Sequence, residues 1–224
     1  MKVIDTDRGN NIYSVTFHAD RKHLVGGGME GIIRGWRVAD GEEVDELMGA
    51  DDWVFNIAVS RDGKWIASGT RSGQVQVWNA EDGDKLIEFN AHNHWVYAVD
   101  VSPDSTKIAT GSDGRTVCIW LLSTGERLLG PWKHKASVVG VKFSPDGRFI
   151  ATATWSSCVR VYDAQDGVLL VDVPIHSTSP LLGPATASSS LSYPQTTTVT
   201  ASTPPLGQLS LNGPSTAIRH GAAA

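Results

Sequence analysis

Residues 107–120 read KIATGSDGRTVCIW, two short apolar runs separated by the polar turn Ser112-Asp113-Gly114. The runs are rich in Val, Ile and Thr, and turn-forming residues bound each of them, which indicates two β-strands joined by a hairpin. A further strand is predicted over 95–101, before the turn Ser102-Pro103-Asp104, and a weaker fourth strand over 126–130. Residues 92–133 therefore predict one four-stranded antiparallel unit.

The same unit occurs four times at an interval of 42 residues. The aromatic that ends the third strand recurs in the pairs Gly35-Trp36, Val77-Trp78, Ile119-Trp120 and Val161-Tyr162, and the first turn recurs at Asp20, Asp62, Asp104 and Asp146. Such self-similarity is typical of repeat proteins, in which each unit buries its apolar faces against its neighbours. No segment has a convincing helical period, so we predict an all-β fold.

A repeat of roughly 40–45 residues with four strands, the third ending in an apolar residue and Trp, resembles the WD40 repeat. The resemblance covers residues 1–176, with repeats at about 8–49, 50–91, 92–133 and 134–175. It implies β-propeller blades of four antiparallel strands each. The Asp that commonly follows the Trp is kept only in Tyr162-Asp163, and the Gly-His dipeptide before each first strand is eroded.

The resemblance also implies a hydrogen-bond network within each blade, formed by a His, a Ser or Thr, an Asp and the Trp. Carried over to this sequence, the candidates are His92, Thr110, Ser112 and Trp120 in the third repeat, His134 and Tyr162 in the fourth, and Trp36 and Trp78 in the first two. The first two repeats lack the His. We therefore expect apolar packing to contribute more to the blades than this network does.

Four repeats raise the question of ring closure, because propellers typically have about 4–8 blades. Residues 1–7 fall at the fourth-strand position of a preceding blade and are predicted to form a stray strand. An open arc, a tight four-blade ring and half of a ring completed by another chain are all compatible with the sequence. We expect an incomplete, open propeller that self-associates or pairs with another propeller fragment, because an open arc leaves apolar blade faces uncovered.

The composition changes after residue 176. Residues 177–224 contain 23 Ser, Thr or Pro and one formally charged side chain, Arg219, with no Asp or Glu. Such a segment has too little periodic apolar surface to offset the entropy of ordering it. The sequence predicts a disordered tail, although a linker to a further domain has the same composition.

The chemical motifs in the sequence do not indicate a catalytic site. Gly26–Gly31 satisfies G-x-G-x-x-G, but a strand is predicted next where a dinucleotide site needs a helix, so we interpret it as a turn. His92 and His94 have no evident third ligand, and Cys118 and Cys158 have no metal-ligand spacing. We expect no catalytic site, no cofactor and no metal.

Charge and aromatic content indicate the class of partner. With 19 Lys and Arg against 24 Asp and Glu, the net charge of −5 argues against nucleic acid or an anionic membrane. Trp53, Trp95 and Trp132 lie near the starts of first strands and are candidates for an interaction surface.

We predict a non-catalytic, intracellular scaffold, cytoplasmic or nuclear, whose blade loops bind a protein or peptide. A sensor or docking tract of a larger signalling receptor is an alternative, and an enzyme built on a propeller is another.

Overall fold

The structure is a computed structural model that describes residues 11–156 and 158–174. Within these ranges the chain forms sixteen β-strands and no helix. The strands are β1 Ile12–Phe17, β2 His23–Gly28, β3 Ile32–Arg37, β4 Glu43–Gly49, β5 Val54–Val59, β6 Trp65–Thr70, β7 Gln74–Asn79, β8 Lys85–Asn90, β9 Val96–Val101, β10 Lys107–Ser112, β11 Thr116–Leu121, β12 Arg127–Lys133, β13 Val138–Phe143, β14 Phe149–Thr154, β15 Cys158–Asp163 and β16 Leu169–Pro174.

The strands form four separate sheets, β1–β4, β5–β8, β9–β12 and β13–β16. In every sheet the strands are hydrogen-bonded in chain order, and every pairing is antiparallel. The prediction of an all-β fold with four four-stranded sheets is therefore confirmed. The predicted stray strand at 1–7 and the tail at 177–224 lie outside the described residues.

A Ser-Asp pair holds the first hairpin turn in three of the sheets. The Ser102 hydroxyl donates to Asp104 Oδ1 at 2.5 Å and accepts the backbone N–H of Lys107 at 2.8 Å. The same two bonds occur at Ser60 with Asp62 and at Ser144 with Asp146. The residue after the aspartate is left-handed, with φ of +75° at Gly63, a conformation that glycine adopts without steric cost.

Neighbouring sheets pack face to face, and a glycine on the second strand of each of the first three sheets permits their close approach. A Cβ on Gly69 would lie 2.6 Å from Val96 Cγ1, and a Cβ on Gly111 would lie 2.6 Å from Val138 Cγ1. Both distances are below van der Waals contact. The first strand of each following sheet therefore rests directly on the backbone of the sheet before it.

Hydrogen bonds link the first strands β1, β5, β9 and β13, which lie side by side. Ser14 Oγ accepts the N–H of Ile57 at 3.1 Å, Asn56 Oδ1 accepts the N–H of Val99 at 2.9 Å, and Asp100 Oδ2 accepts the N–H of Phe143 at 2.8 Å. The Lys142 ammonium also donates to Asp100, at 2.5 Å, which offsets the cost of burying that carboxylate. Together the four strands line a central depression of about 290 Å³.

The apolar core lies between the sheets. Val75, Val77, Val96, Val99 and Ile108 form one cluster between the second and third sheets, and all are buried. Similar clusters lie between the first and second sheets and between the third and fourth. Each interior sheet is thus covered on both faces, which explains its nearly continuous apolar strands.

The four sheets do not close into a ring. Packing runs from β1 to β5 to β9 to β13, and within the described ranges no comparable packing joins β13 to β1. Val15 and Phe17 of β1 are 60% and 62% exposed, whereas their counterparts Val141 and Phe143 in β13 are 6% and 7% exposed. The expected open arrangement is confirmed, and it leaves the outer face of the first sheet uncovered.

No helix in the described part of the chain has the length and apolar character needed to cross a membrane.

Candidate interaction surface

Six aromatic side chains form a continuous band where the first strands begin. We call this surface the aromatic band; its members are Tyr13, Trp53, Phe55, Trp95, Tyr97 and Trp155. Tyr13, Phe55 and Tyr97 are each the second residue of a first strand, 42 residues apart. The parallel arrangement of the first strands brings the equivalent residues of the first three sheets together, and Trp155, which follows β14, adds the fourth sheet to the band.

The rings of the aromatic band contact one another in a row. Phe55 stacks on Tyr13 and on Trp95, with a centroid distance of 5.4 Å in each case. Tyr97 meets Phe55 edge-on at 5.2 Å and lies 6.5 Å from Trp155. Contacts of this kind favour fixed ring orientations, so the band is a preformed surface.

Arg71 adds a positive charge to the aromatic band. Its guanidinium carbon lies 4.5 Å from the ring centroid of Trp53 and 5.7 Å from that of Trp95. Asp52 fixes the neighbouring loop by accepting the backbone N–H of Ser72 at 2.6 Å. Arg71 is exposed and forms no ion pair with any residue in the described ranges, so its charge faces solvent.

The Tyr97 hydroxyl supplies a neutral polar group within the band. Burial, reinforced by the nearby Asp113 carboxylate, raises the pKa of Tyr97. The phenol therefore keeps its proton at neutral pH. Asp113 also accepts a hydrogen bond from the Ser137 hydroxyl at 2.7 Å, which joins the third and fourth sheets at this surface.

The structure brings together two of the three tryptophans that the sequence analysis assigned to an interaction surface. Trp53 and Trp95 are in the aromatic band. Trp132 is not: it is partly buried in β12 and stacks on Tyr162 with a centroid distance of 4.3 Å. Trp155, the most exposed member at 66%, was not predicted from the sequence.

The predicted blade network is present in the third sheet, with one change of residue. The His92 imidazole bonds to the Thr110 hydroxyl at 2.7 Å, and the Trp120 indole N–H donates to the same hydroxyl at 2.8 Å. The second ring nitrogen of His92 bonds to Thr116 at 2.8 Å, a partner that the sequence analysis missed. Ser112, which it proposed, instead donates to the carbonyl of His94.

The other network candidates take part to different extents. His134 lies 3.4 Å from the Tyr162 hydroxyl, and burial lowers the pKa of His134 to about 4. The Trp78 indole donates to Ser68 at 3.1 Å. Trp36 packs against Gly26, where a Cβ would lie 2.9 Å from its ring. These residues hold the blades together and are not part of the aromatic band.

The glycine-rich segment at 26–31 runs from β2 through a turn into β3. No helix follows it, so its backbone lacks the arrangement that binds a pyrophosphate.

The family model described as "WD domain, G-beta repeat" matches residues 1–37, 41–79, 83–120 and 127–163. The chain belongs to the WD40 repeat family. Each matched range ends at or next to the end of a third strand, so the WD40 unit is offset by one strand from the sheet it helps to form. WD40 propellers generally serve as non-catalytic scaffolds that bind protein partners.

Solved WD40 structures share this fold at low sequence identity. "Crystal structure of RRP9 WD40 repeats" is 21% identical with a TM-score of 0.68, and the match covers 75% of this chain and 52% of that one. "Structure of U3-55K" is 20% identical with a TM-score of 0.68, covering 75% and 53% respectively. The WD40 chain thus spans about half the length of these neighbours. A search among curated proteins gives no significant match.

Proposed function

We propose that this WD40 chain is a non-catalytic docking module that binds a peptide segment of a protein partner on the aromatic band. The observation that carries the proposal is the row of stacked rings, with Tyr13, Trp95 and Trp155 substantially exposed. Large aromatics in a fixed arrangement are the residues most often found at binding hot spots, because they bury much area at little entropic cost.

The composition of the band indicates the chemistry of the partner. The rings offer apolar contact, and the Arg71 guanidinium offers a charge-assisted bond to a carboxylate. A peptide that places an apolar side chain near Trp155 and an acidic side chain near Arg71 satisfies both. The second residue of β13 is the exposed Val139, so the fourth sheet has an aliphatic side chain where the other three have a ring.

Selection from a random peptide library on the full-length chain tests this proposal. We expect enrichment of peptides that combine an acidic and an apolar residue, with binding weakened at least about tenfold by Trp155→Ala and by Arg71→Gln. Arg61→Gln is the matched control, because Arg61 is an exposed arginine at the opposite end of β5. Selected peptides that bind both variants as well as they bind the wild type would refute a site on the band.

A second copy of the chain is the partner that we propose for the outer face of the first sheet. Val15 and Phe17 are exposed there, although their counterparts in the other sheets are covered. An uncovered apolar face of this kind typically marks an interaction site. Sedimentation of the full chain as a function of concentration measures this association.

A further inference from the structure

The first hairpin turn of the first sheet differs from its three counterparts. The position two residues before the turn aspartate is Ser60, Ser102 and Ser144 in the other sheets, and the position three residues after it is Trp65, Lys107 and Phe149. In the first sheet these positions are His18 and His23, on either side of Asp20. Three sheets make the turn without histidine, so the fold does not require the two imidazoles.

Both imidazoles face the same carboxylate oxygen. His23 Nδ1 lies 2.6 Å from Asp20 Oδ2, and His18 Nδ1 lies 3.2 Å from it. One ligand atom from each of the three residues falls within 4.8 Å of the others. Two ligands of a tetrahedral zinc ion, bound at about 2.0–2.1 Å, are roughly 3.3 Å apart. Small side-chain rotations would therefore bring all three atoms to coordinating distance.

The second sheet orients the ring of His18. Its Nε2 lies 3.1 Å from the carbonyl oxygen of Gly63, and because a carbonyl can only accept, Nε2 carries the proton of the neutral ring. The lone pair on Nδ1 then points towards Asp20, with only a long contact of 3.4 Å from the Asp20 N–H. A backbone carbonyl on the far nitrogen is a common outer-shell arrangement for metal-bound histidine.

The backbone fixes one oxygen of the Asp20 carboxylate and leaves the other, Oδ2, facing the two imidazoles. The backbone N–H groups of Lys22 and His23 donate to Asp20 Oδ1 at 2.7 and 3.1 Å. Asp20 Oδ2 instead forms a hydrogen bond of 2.6 Å with His23 Nδ1, and a bound metal ion would replace the proton that these two atoms share. An adjoining cavity of about 260 Å³ leaves space for a further ligand, and the guanidinium of Arg34 in its wall pairs with glutamates.

We propose that His18, Asp20 and His23 bind a divalent transition-metal ion, preferably zinc, through two imidazoles and one carboxylate. Imidazole suits zinc, whereas magnesium prefers an octahedral set of oxygens. Three protein ligands leave one position open for water or for a side chain of a partner. The metal site lies at the end of β1, and the aromatic band lies at the start of β1. We therefore expect zinc binding at the one to be independent of peptide binding at the other.

Isothermal titration of the full-length chain with zinc chloride, and in parallel with magnesium chloride, tests the site. The variants are His18→Ser and His23→Lys, because Ser102 and Lys107 occupy these positions in the third sheet and support the same turn. His94→Ser is the matched control, since His94 is an exposed histidine in another loop. Thermal unfolding of each variant without metal establishes that it is folded.

We expect one zinc ion per wild-type chain, no magnesium binding, at least about tenfold weaker zinc binding in each site variant, and no change in His94→Ser. Imidazole nitrogen NMR provides a second readout, in which zinc shifts the Nδ1 signals of His18 and His23. Absence of zinc binding to the wild type would overturn the proposal. So would equal binding by folded His18→Ser and His23→Lys, because the ion would then bind elsewhere in the chain.

Discussion

His92 stabilises the third blade as a neutral side chain. Both of its ring nitrogens bond to threonine hydroxyls, to Thr110 at 2.7 Å and to Thr116 at 2.8 Å. Burial, with a contribution from the positive charge of Arg127, lowers the pKa of His92 to about 4. A protonated ring would lose the ability to accept from a hydroxyl, so the network depends on the neutral form.

The pKa of His92 predicts an acid-dependent loss of stability. Between pH 6.5 and 4 the unfolded chain binds a proton that the folded chain does not, so the free energy of unfolding falls as the pH falls. The contribution of His92 to the free energy of unfolding is complete above pH 6.5 and amounts to at most about 3 kcal/mol. Urea unfolding at a series of pH values measures it.

His92→Asn separates this effect from general acid denaturation. At pH 7 we expect the variant to be less stable by about 1–3 kcal/mol, because Thr110 and Thr116 lose their partner. The difference between variant and wild type should narrow towards pH 4.5, because the variant has no imidazole to titrate. His94→Asn, at an exposed position, should follow the wild type. Parallel curves for wild type and His92→Asn would contradict the assignment.

The 42-residue spacing predicts where a single residue lies only when similar residues recur at that spacing in other repeats. Trp53 and Trp95 are 42 residues apart and lie together, whereas Trp132 follows Trp95 by 37 residues and falls on a fourth strand. The same step of 42 relates Tyr13, Phe55 and Tyr97, but these residues were not predicted to belong to the surface, because the prediction considered only tryptophans. Trp155 could not be predicted in this way, because Met29, Arg71 and Asp113 occupy the equivalent positions.

At the scale of the strands, the glycines of the second strands set the spacing between sheets. A Cβ on Gly111 would lie 2.6 Å from Val138 Cγ1 and 3.1 Å from Val141 Cγ1, and both valines are buried. They cannot retreat without disturbing the close packing between the third and fourth sheets. The approach of β13 to β10 therefore depends on the absence of a side chain.

Gly111→Ala is expected to destabilise the chain by about 1–3 kcal/mol through overpacking, even though alanine lowers the entropy of the unfolded state. Gly140→Ala is the matched control, because its Cβ would meet only Ala153 Cβ, at an ordinary 3.5 Å. Guanidinium unfolding should show a lower midpoint for Gly111→Ala and a midpoint close to that of the wild type for Gly140→Ala. An equal effect of the two substitutions would show that the glycine does not set the spacing.

The second and third strands could be predicted more closely than the fourth. The sequence predicts strands at 107–111 and 116–121, and the structure has Lys107–Ser112 and Thr116–Leu121. The fourth strand, predicted at 126–130, extends over Arg127–Lys133. Fourth strands are the outermost in each sheet and partly exposed, so their sequences carry charges and lack the continuous apolar pattern that identifies the inner strands.

At the scale of the whole molecule, the two uncovered ends of the arc are not equivalent. The first sheet exposes Val15 and Phe17, side chains that would normally pack on the preceding sheet. The fourth sheet carries Ala153 at the position of Gly111. A sheet packed there in the usual way would meet the Ala153 methyl group. The Ala153 methyl group therefore makes the outer face of the fourth sheet less suited to close packing, and the face of the first sheet is the better surface for association.

Two chains that pair through their first sheets would form a symmetric dimer, the commonest arrangement of soluble oligomers. We expect sedimentation velocity to show a reversible dimer at micromolar concentrations. Phe17→Asp should convert it to a monomer, because a buried, unpaired carboxylate opposes association. Val171→Asp, on the partly exposed outermost strand of the fourth sheet, is the matched control and should leave the dimer intact. Dissociation by both substitutions would indicate head-to-tail pairing instead, and a wild-type monomer throughout the concentration range would exclude a second copy as the occupant of this face.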